Sequence, residues 1–402
     1  MVPDLSEASF RGPAGKKLLI VGGSTRAAAW SARRAGFQPV CADLFADSDT
    51  RQVAEVIPVR SYPDSLPDDI AHVEADGWFY TGALENRPDL IERMDRSSTS
   101  YGPLWGIGSV ALRQLRNPIW VASTLSRNGH SVLEIHSGST PPPADGTWML
   151  KPRSSAGGRA VCLWDEVRQR RGIHEPVYFQ RLCTGDVFSA VFQCEVRKLT
   201  LLGITRQLPG NKLSGAADPY LYAGSTGPIS LSPMSETQAT TEDLVIQQIK
   251  ALADACDLRG FVGIDFIRDQ RGTPWILEIN PRYTASVEVL EHARRKSMIT
   301  GIDAPADSTA TPRCESSIVT KLVLYAPKSL IVGDLGRSTD DIWSLPTIAD
   351  IPVPGSQIDG GWPVCTVFSH GITEEESAIR LQRRVDRVWK MVNYRVDEPV
   401  KR

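Results

Sequence analysis

The chain has 402 residues, 41% of them hydrophobic and 23% charged, and a formal net charge of −2. That balance suits a soluble protein of two or three domains with ample core, and supplies no field for nucleic acid or an anionic membrane. No apolar run approaches the roughly 20 residues that span a bilayer. The acidic start Met1-Val-Pro-Asp-Leu-Ser-Glu7 lacks a secretory apolar region. The seven cysteines, an odd count without Cys-x-x-Cys or Cys/His zinc spacing, read as buried free thiols in a reducing cytoplasm.

Lys16-Lys-Leu-Leu-Ile-Val-Gly-Gly23 predicts a short strand, residues 24–36 a helix capped by Ser24 or Thr25 and stopped by Gly36, and Pro39–Asp43 a second strand. This βαβ start implies a parallel sheet and an α/β class. Gly22-Gly-Ser-Thr-Arg26 departs from Gly-x-Gly-x-x-Gly and reads as a tight strand-to-helix turn. The alternative is a helix N-terminus that receives a substrate anion at Gly23, Ser24 and Arg26. A later strand, Trp78-Phe-Tyr-Thr-Gly-Ala-Leu-Glu85-Asn86, carries Glu85 at its C-terminal end, the edge where open α/β sheets gather ligands.

Residues 112–129 read as helical, with Asn117-Pro118 as a start. A β-rich unit follows from Thr147. In it, Trp148-Met-Leu-Lys151-Pro-Arg-Ser154-Ser155-Ala-Gly157-Gly158 reads as a strand running into a loop of small residues. Such a loop lets backbone N–H groups approach phosphate oxygens, and Lys151 supplies a cation at its base. It can equally be a plain hairpin loop, and it is no P-loop. Residues 235–258 predict an amphipathic helix, 301–313 a polar linker, and 315–402 short strands followed by a charged helix from Thr373 to about Val392.

The richest segment is Gly260-Phe-Val-Gly-Ile-Asp265 through Trp275-Ile-Leu-Glu278-Ile-Asn280-Pro-Arg282. Its pattern predicts a β-hairpin. If Arg268 lies opposite Trp275, the same register sets Asp265 opposite Glu278, about 5 Å away on one face. Asn280, two residues on, joins that face. Val262, Ile264 and Phe266 then pack with Leu277 and Ile279 on the other. Two carboxylates and an amide suit Mg²⁺, with Mn²⁺ as an alternative. The plainer reading is a strand pair with a solvated acidic face.

Asp265-x(12)-Glu278-x-Asn280-Pro-Arg282 resembles the metal-binding end of the ATP-grasp ligases. It is most similar to their ATP-dependent carboligase branch, which includes tyramine–glutamate ligases. The resemblance is strong over 260–286, moderate over 147–191 and 78–86, and faint elsewhere. It implies an α+β ATP-grasp fold in three parts: an N-terminal parallel-sheet domain (1–116), a two-lobed core (117–310, lid about 147–190) and a small C-terminal α+β extension (315–402). It further implies that Lys151, Ser154, Ser155, Gly157 and Gly158 hold the phosphates of ATP, and that Gln180, Arg181 and Cys183 flank adenine. Asp186 would take the ribose hydroxyls. Arg206 would face the phosphates, with a surface arginine as the even alternative. Many relatives have Glu where Gln180 stands. Arg282 would meet the substrate carboxylate or oxyanion, and Glu85 the substrate. His292 reads as a helix-surface histidine.

The reaction so implied joins a small-molecule carboxylate to an amine through an acyl phosphate, releasing ADP and phosphate. Glutamate is a candidate substrate and one-carbon cofactor synthesis a candidate pathway; homo-oligomers fit the family. The tail segment 359–375 is loosely similar to the C-terminal domain of biotin-dependent carboxylases, so a bicarbonate-dependent enzyme working through carboxyphosphate is an alternative. A regulatory nucleotide-binding protein without turnover is another.

Overall fold

The computed structural model describes residues 15–173, 176–195, 198–231, 239–299 and 317–392; the expected linker at 301–313 lies outside them. Strands β1 (Lys17–Gly22) and β2 (Gln38–Asp43) run parallel and are joined by helix α1 (Arg26–Arg34), as the βαβ pattern requires. Strands β3 (Glu55–Pro58) and β4 (Trp78–Tyr80) complete the order β3-β2-β1-β4, all parallel. Leu18 to Val21 are fully buried, because a parallel sheet is covered on both faces.

Helices α2 (Leu66–Asp69), α3 (Pro88–Arg96), α4 (Ser109–Leu115) and α5 (Pro118–Arg127) follow. The helical stretch expected over 112–129 is two helices, and the second starts at Asn117-Pro118 as expected. The Asn117 side chain accepts from the amides of Ile119 and Trp120, and Pro118 occupies the first helical position.

A small antiparallel sheet of order β5-β8-β6-β7 comes next: β5 (Ile135–Ser137), β6 (Asp145–Pro152), β7 (Cys162–Asp165) and β8 (Val177–Arg181), with helix α6 (Glu166–Arg171) after β7. The large sheet is built on β9 (Asp186–Glu195), β10 (Lys198–Pro209), β11 (Tyr222–Gly227), β12 (Gly260–Arg268) and β13 (Pro274–Asn280). Helix α7 (Thr241–Ala255) starts on a Thr240/Asp243 capping box and buries Val245, Ile249 and Leu252 in a core shared with Trp78, Leu112 and Phe266. Helix α8 (Ala285–Arg294) follows the hairpin.

The tail continues this sheet. Strand β14 (Ile318–Tyr325) pairs with β11. After the ribbon strand β15 (Leu330–Ile331) come β16 (Ile348–Ala349), β17 (Gln357–Ile358), which pairs with β15, and β18 (Pro363–Gly371). The sheet order is β13-β12-β9-β10-β11-β14-β18-β16. Helix α9 (Glu374–Val392) seats Leu381, Val385 and Val388 against the tail strands.

A buried ionic network ties the first helix and the tail to α8. Arg26 pairs with both oxygens of Glu288, and reaches Asp350 at 3.0 and 3.1 Å. Lys321 Nζ lies 3.1 Å from Glu288. Asp49 accepts the amides of Asp350 and Ile351. One turn along, Glu291 takes Arg34 at 2.7 Å and the Ser31 hydroxyl at 2.5 Å. Burial raises the Glu288 carboxyl, but Arg26 and Lys321 prevail and hold it at about 2. Removing one partner from such a network costs about 3–5 kcal/mol, because the other charge is left buried alone.

The same network has surplus acid. Asp47 is 6% exposed, and burial, then Asp350, Asp49 and Asp43, push its carboxyl up to about 8. The folded chain therefore binds a proton there that the unfolded chain releases above about pH 4. The associated stability is full below that pH and is lost as pH rises through 8. Denaturant unfolding of wild type and Asp47→Asn should thus diverge between pH 5.5 and 8. The substitution should spare about 1–3 kcal/mol of that decline; parallel curves would contradict it.

Candidate functional site

In the β12–β13 hairpin, Asp265 stands opposite Glu278 and Gly263 opposite Asn280. Beyond Asp265 the expected register fails. Phe266 faces Ile276 and Arg268 faces Pro274, because one extra residue, Leu277, bulges from β13. Ile276, not Leu277, joins Phe266 in the core. The bulge re-aims the backbone. The Leu277 carbonyl accepts from Lys151 Nζ and from Gln180 Nε2, each at 3.4 Å.

The polar face of the hairpin is a linked set. Asn280 Nδ2 donates to Asp265 at 2.9 Å and to Glu278 at 3.4 Å, and Arg282 Nη2 donates to Asn280 Oδ1 at 3.2 Å. The Ser189 and Gln207 side chains also favour the ionised form of Asp265. Burial and then Glu278 still push the Asp265 carboxyl up to about 6. Burial raises Glu278 too, but Arg116, Lys151 and Arg282 outweigh it and leave that carboxyl lowered. Two like charges at one spot need a cation, and the donors are hard oxygens. No group of three His, Cys, Asp or Glu residues suited to a metal occurs among the described residues. A divalent ion here would take Asp265 and Glu278, and the Asn280 amide oxygen once that amide turns to face them. That set fits an ion that keeps other positions for water or phosphate.

Two cations face this pair. Lys151, on β6, donates to Gln180 Oε1 at 2.7 Å; burial lowers its pKa against the pull of Glu278 and Asp265. Arg116, at the end of α4, lies 3.6 Å from Glu278 and donates to the carbonyls of Ile279 and Ser155 and to Asn86. In the sequence Arg116 passes as one more helix residue; its place just before the Asn117-Pro118 restart is the signal that marks it. The carboxylate pair, Asn280, Arg282, Lys151 and Arg116 line one cavity of about 560 Å³, whose lining also includes the apolar Val121, Leu125, Leu133, Met149, Ile267 and Ile276.

The small-residue loop sits at the cavity wall. Ser155, Gly157 and Gly158 line it, whereas Ser154 is not among the lining residues. Gly157 and Gly158 have φ of +63° and +76°. A Cβ on Gly158 would lie 2.0 Å from the Tyr220 carbonyl, so only glycine fits. Cys183 and Arg181 also line the cavity. The Arg181 guanidinium stacks 5.0 Å over Trp148, and the Gln180 side chain, 3% exposed, is occupied by Lys151 and the bulge.

Other expected residues stand elsewhere. Asp186 and Arg206 pair with each other at 2.7 Å, and Arg206 also reaches Glu374 and lies 4.9 Å over Phe188. Strand alternation turns Ser189 and Gln207 to the cavity and these two away from it. At the first turn, the amide and hydroxyl of Thr25 donate to Asp43 at 2.7 and 2.6 Å. The chain's own carboxylate thus answers the helix start. Gly23 N bonds the Gly82 carbonyl, Ser24 O accepts from Thr81, and Arg26 is buried in the ionic network. Arg26 is therefore spent on the chain's own acids, not kept for a substrate anion.

Glu85 is 1% exposed and accepts from Arg282 Nε at 2.8 Å; its other oxygen has no partner among the described residues. It stands behind Arg282, which lines the cavity together with Thr284 and Ser286 from the start of α8. His292 is buried against Phe368 and is not a surface residue.

Three comparisons bear on this arrangement. Residues 125–286 match the family model described as the ATP-grasp domain. No curated protein matches the chain. Among solved structures, N5-carboxyaminoimidazole synthetase from Staphylococcus aureus is similar at 13% identity and TM-score 0.63, over 94% of this chain and 99% of that one. An L-amino acid ligase from Bacillus licheniformis is similar at 12% identity and TM-score 0.64, over 94% and 98%. The biotin carboxylase domain of the Hydrogenobacter thermophilus 2-oxoglutarate carboxylase, solved with MgADP and bicarbonate, is similar at 13% identity and TM-score 0.65, over 92% and 89%. No described helix is long and apolar enough to cross a membrane. The chain carries an ATP-grasp domain over residues 125–286, set within a fold that continues on both sides of it.

Proposed function

We propose that this chain is an ADP-forming ligase that joins a small-molecule carboxylate to an amine. One observation carries the reading: the Asp265–Glu278 pair faces Lys151 and Arg116 on one side, and reaches Arg282 through Asn280 on the other. Cations suited to phosphate and one suited to a carboxylate thus adjoin within a single cavity.

In this reading the apolar part of the cavity lining takes adenine. Lys151, Arg116 and the amides of the 155–158 loop draw the phosphate oxygens into line. A divalent ion held by Asp265, Glu278 and Asn280 would offset phosphate charge when bound. Arg282, oriented by Glu85, holds the substrate carboxylate so that its oxygen meets the γ-phosphorus. The P–O bond to the β-phosphate breaks, ADP leaves and an acyl phosphate remains. The amine nitrogen then attacks the acyl carbon, the C–O bond breaks, phosphate departs and the nitrogen releases its proton. Phosphoryl transfer asks for positioning and charge more than for covalent help, which is what these residues offer. The loop, anchored at Ser155 and Gly157, keeps water from the acyl phosphate. The solved structures of similar fold include an L-amino acid ligase and a carboxylase domain with bicarbonate, so both acceptors belong in the test.

With MgATP, ADP release should require a carboxylate and an amine together, screened as pairs with glutamate among them. Release with bicarbonate and no amine would replace this reading by the carboxylase one. Asp265→Asn should reduce turnover at least about 100-fold while leaving the thermal midpoint near wild type; full turnover would sink the metal assignment. Gly158→Ala should raise KM for ATP about 10-fold or more through the clash with Tyr220, with little change in global stability. An unchanged KM would remove the loop from the nucleotide site.

A further inference from the structure

The phosphate loop is fastened to the tail along two separate routes. At its tip, the Arg159 guanidinium lies 4.9 Å over the ring of Trp362, just before β18. Trp362 is 44% exposed, so this loop contact covers an aromatic face otherwise left to water. At the loop's middle, the Gly157 carbonyl accepts from the Tyr222 amide at 2.8 Å, and the Tyr222 carbonyl accepts from the Tyr325 hydroxyl at 2.6 Å. Tyr325 ends β14.

The tail side of both contacts is fixed. Gly361 N donates to the Ala326 carbonyl at 2.7 Å, and Ala326 N to the Trp362 carbonyl at 2.9 Å. That pins the turn before β18 to the end of β14. The loop itself has three residues in a row of four with positive φ (Gly157, Gly158 and Ala160); its tip is exposed at 156, 157, 159 and 160, and its other anchors are the Ser155 carbonyl, bonded by Asn86 and Arg116, and Gly158 against Tyr220. An exposed loop tip adopts the position that its few anchors stabilise.

We propose that Trp362 and Tyr325 are positioning residues, through which the tail sets how often the phosphate loop stands closed over the cavity. The nucleotide reading enters only in what the closed loop covers. Loss of an exposed cation–π contact should shift the closing equilibrium about two- to fivefold. Loss of the Tyr325 hydrogen bond should add a comparable factor.

The test compares full-length wild type, Trp362→Ala, Trp362→Phe and Tyr325→Phe. Deuterium uptake of the 153–161 segment in the free protein should quicken about two- to fivefold in Trp362→Ala. Trp362→Phe should restore much of the protection, and uptake across β9–β13 should stay at wild-type rates. MgADP dissociation, followed by stopped-flow with a fluorescent ADP analogue, should quicken in the same order. Equal uptake by the loop in wild type and Trp362→Ala would overturn the proposal, as would loosening spread across the whole sheet. If Trp362→Ala does not fold, Arg159→Gln removes the same contact from the exposed side and is judged by the same two outcomes. Should MgADP not bind wild type, the nucleotide reading fails, while the uptake comparison still decides the role of the tail.

Discussion

Two carboxylates held side by side in a half-buried cavity wall repel each other unless something answers their charge, and the site is organised around that constraint. Asp265 and Glu278 meet because an antiparallel hairpin sets them opposite one another. Their surroundings then separate their behaviour. Burial and its neighbour raise Asp265, whereas Arg116, Lys151 and Arg282 hold Glu278 down. These three cations of the cavity are placed with respect to this pair, and each is held in turn by another group: Lys151 by Gln180, Arg116 by Asn86, Arg282 by Glu85. The charges come from three parts of the chain, so the pair also fixes how those parts must sit.

The tail has a structural share in that arrangement. Its strands continue the sheet that carries the hairpin, and Asp350 and Lys321 complete the ionic network around Glu288 on α8. Helix α8 begins three residues after Arg282. A buried network of this kind is a costly way to gain stability. Its effect here is geometric: α1, α8 and the tail have one mutual placement in which all of these charges find partners.

Much of this is legible in the order of residues alone. The periodicity of Val262, Ile264 and Phe266 against the polar Asp265 announces a hairpin. The Glu-x-Asn-Pro-Arg string points to its polar face, where the two carboxylates and the amide do meet. The βαβ start and the capping at Asn117 are written in local residue types. The departures are of another kind. The bulge at Leu277 breaks the simple register, because one inserted residue leaves no mark in an apolar run. Asp186 and Arg206 take their expected roles from resemblance, and strand alternation turns both from the cavity. Arg26 looks free in a glycine-rich turn, yet its partners lie 262 and 324 positions away.

By itself the sequence determined the periods, the turns and the hard-oxygen chemistry of the 265–282 segment, because those follow from residue types a few positions apart. Only the tertiary structure decided which cations answer the pair, that Glu85 stands behind Arg282, and that the tail reaches the loop at 155–160. Those contacts join segments far apart in the chain. Which side chains face one another across such distances depends on strand parity, bulges and packing, none of which is carried by a local pattern.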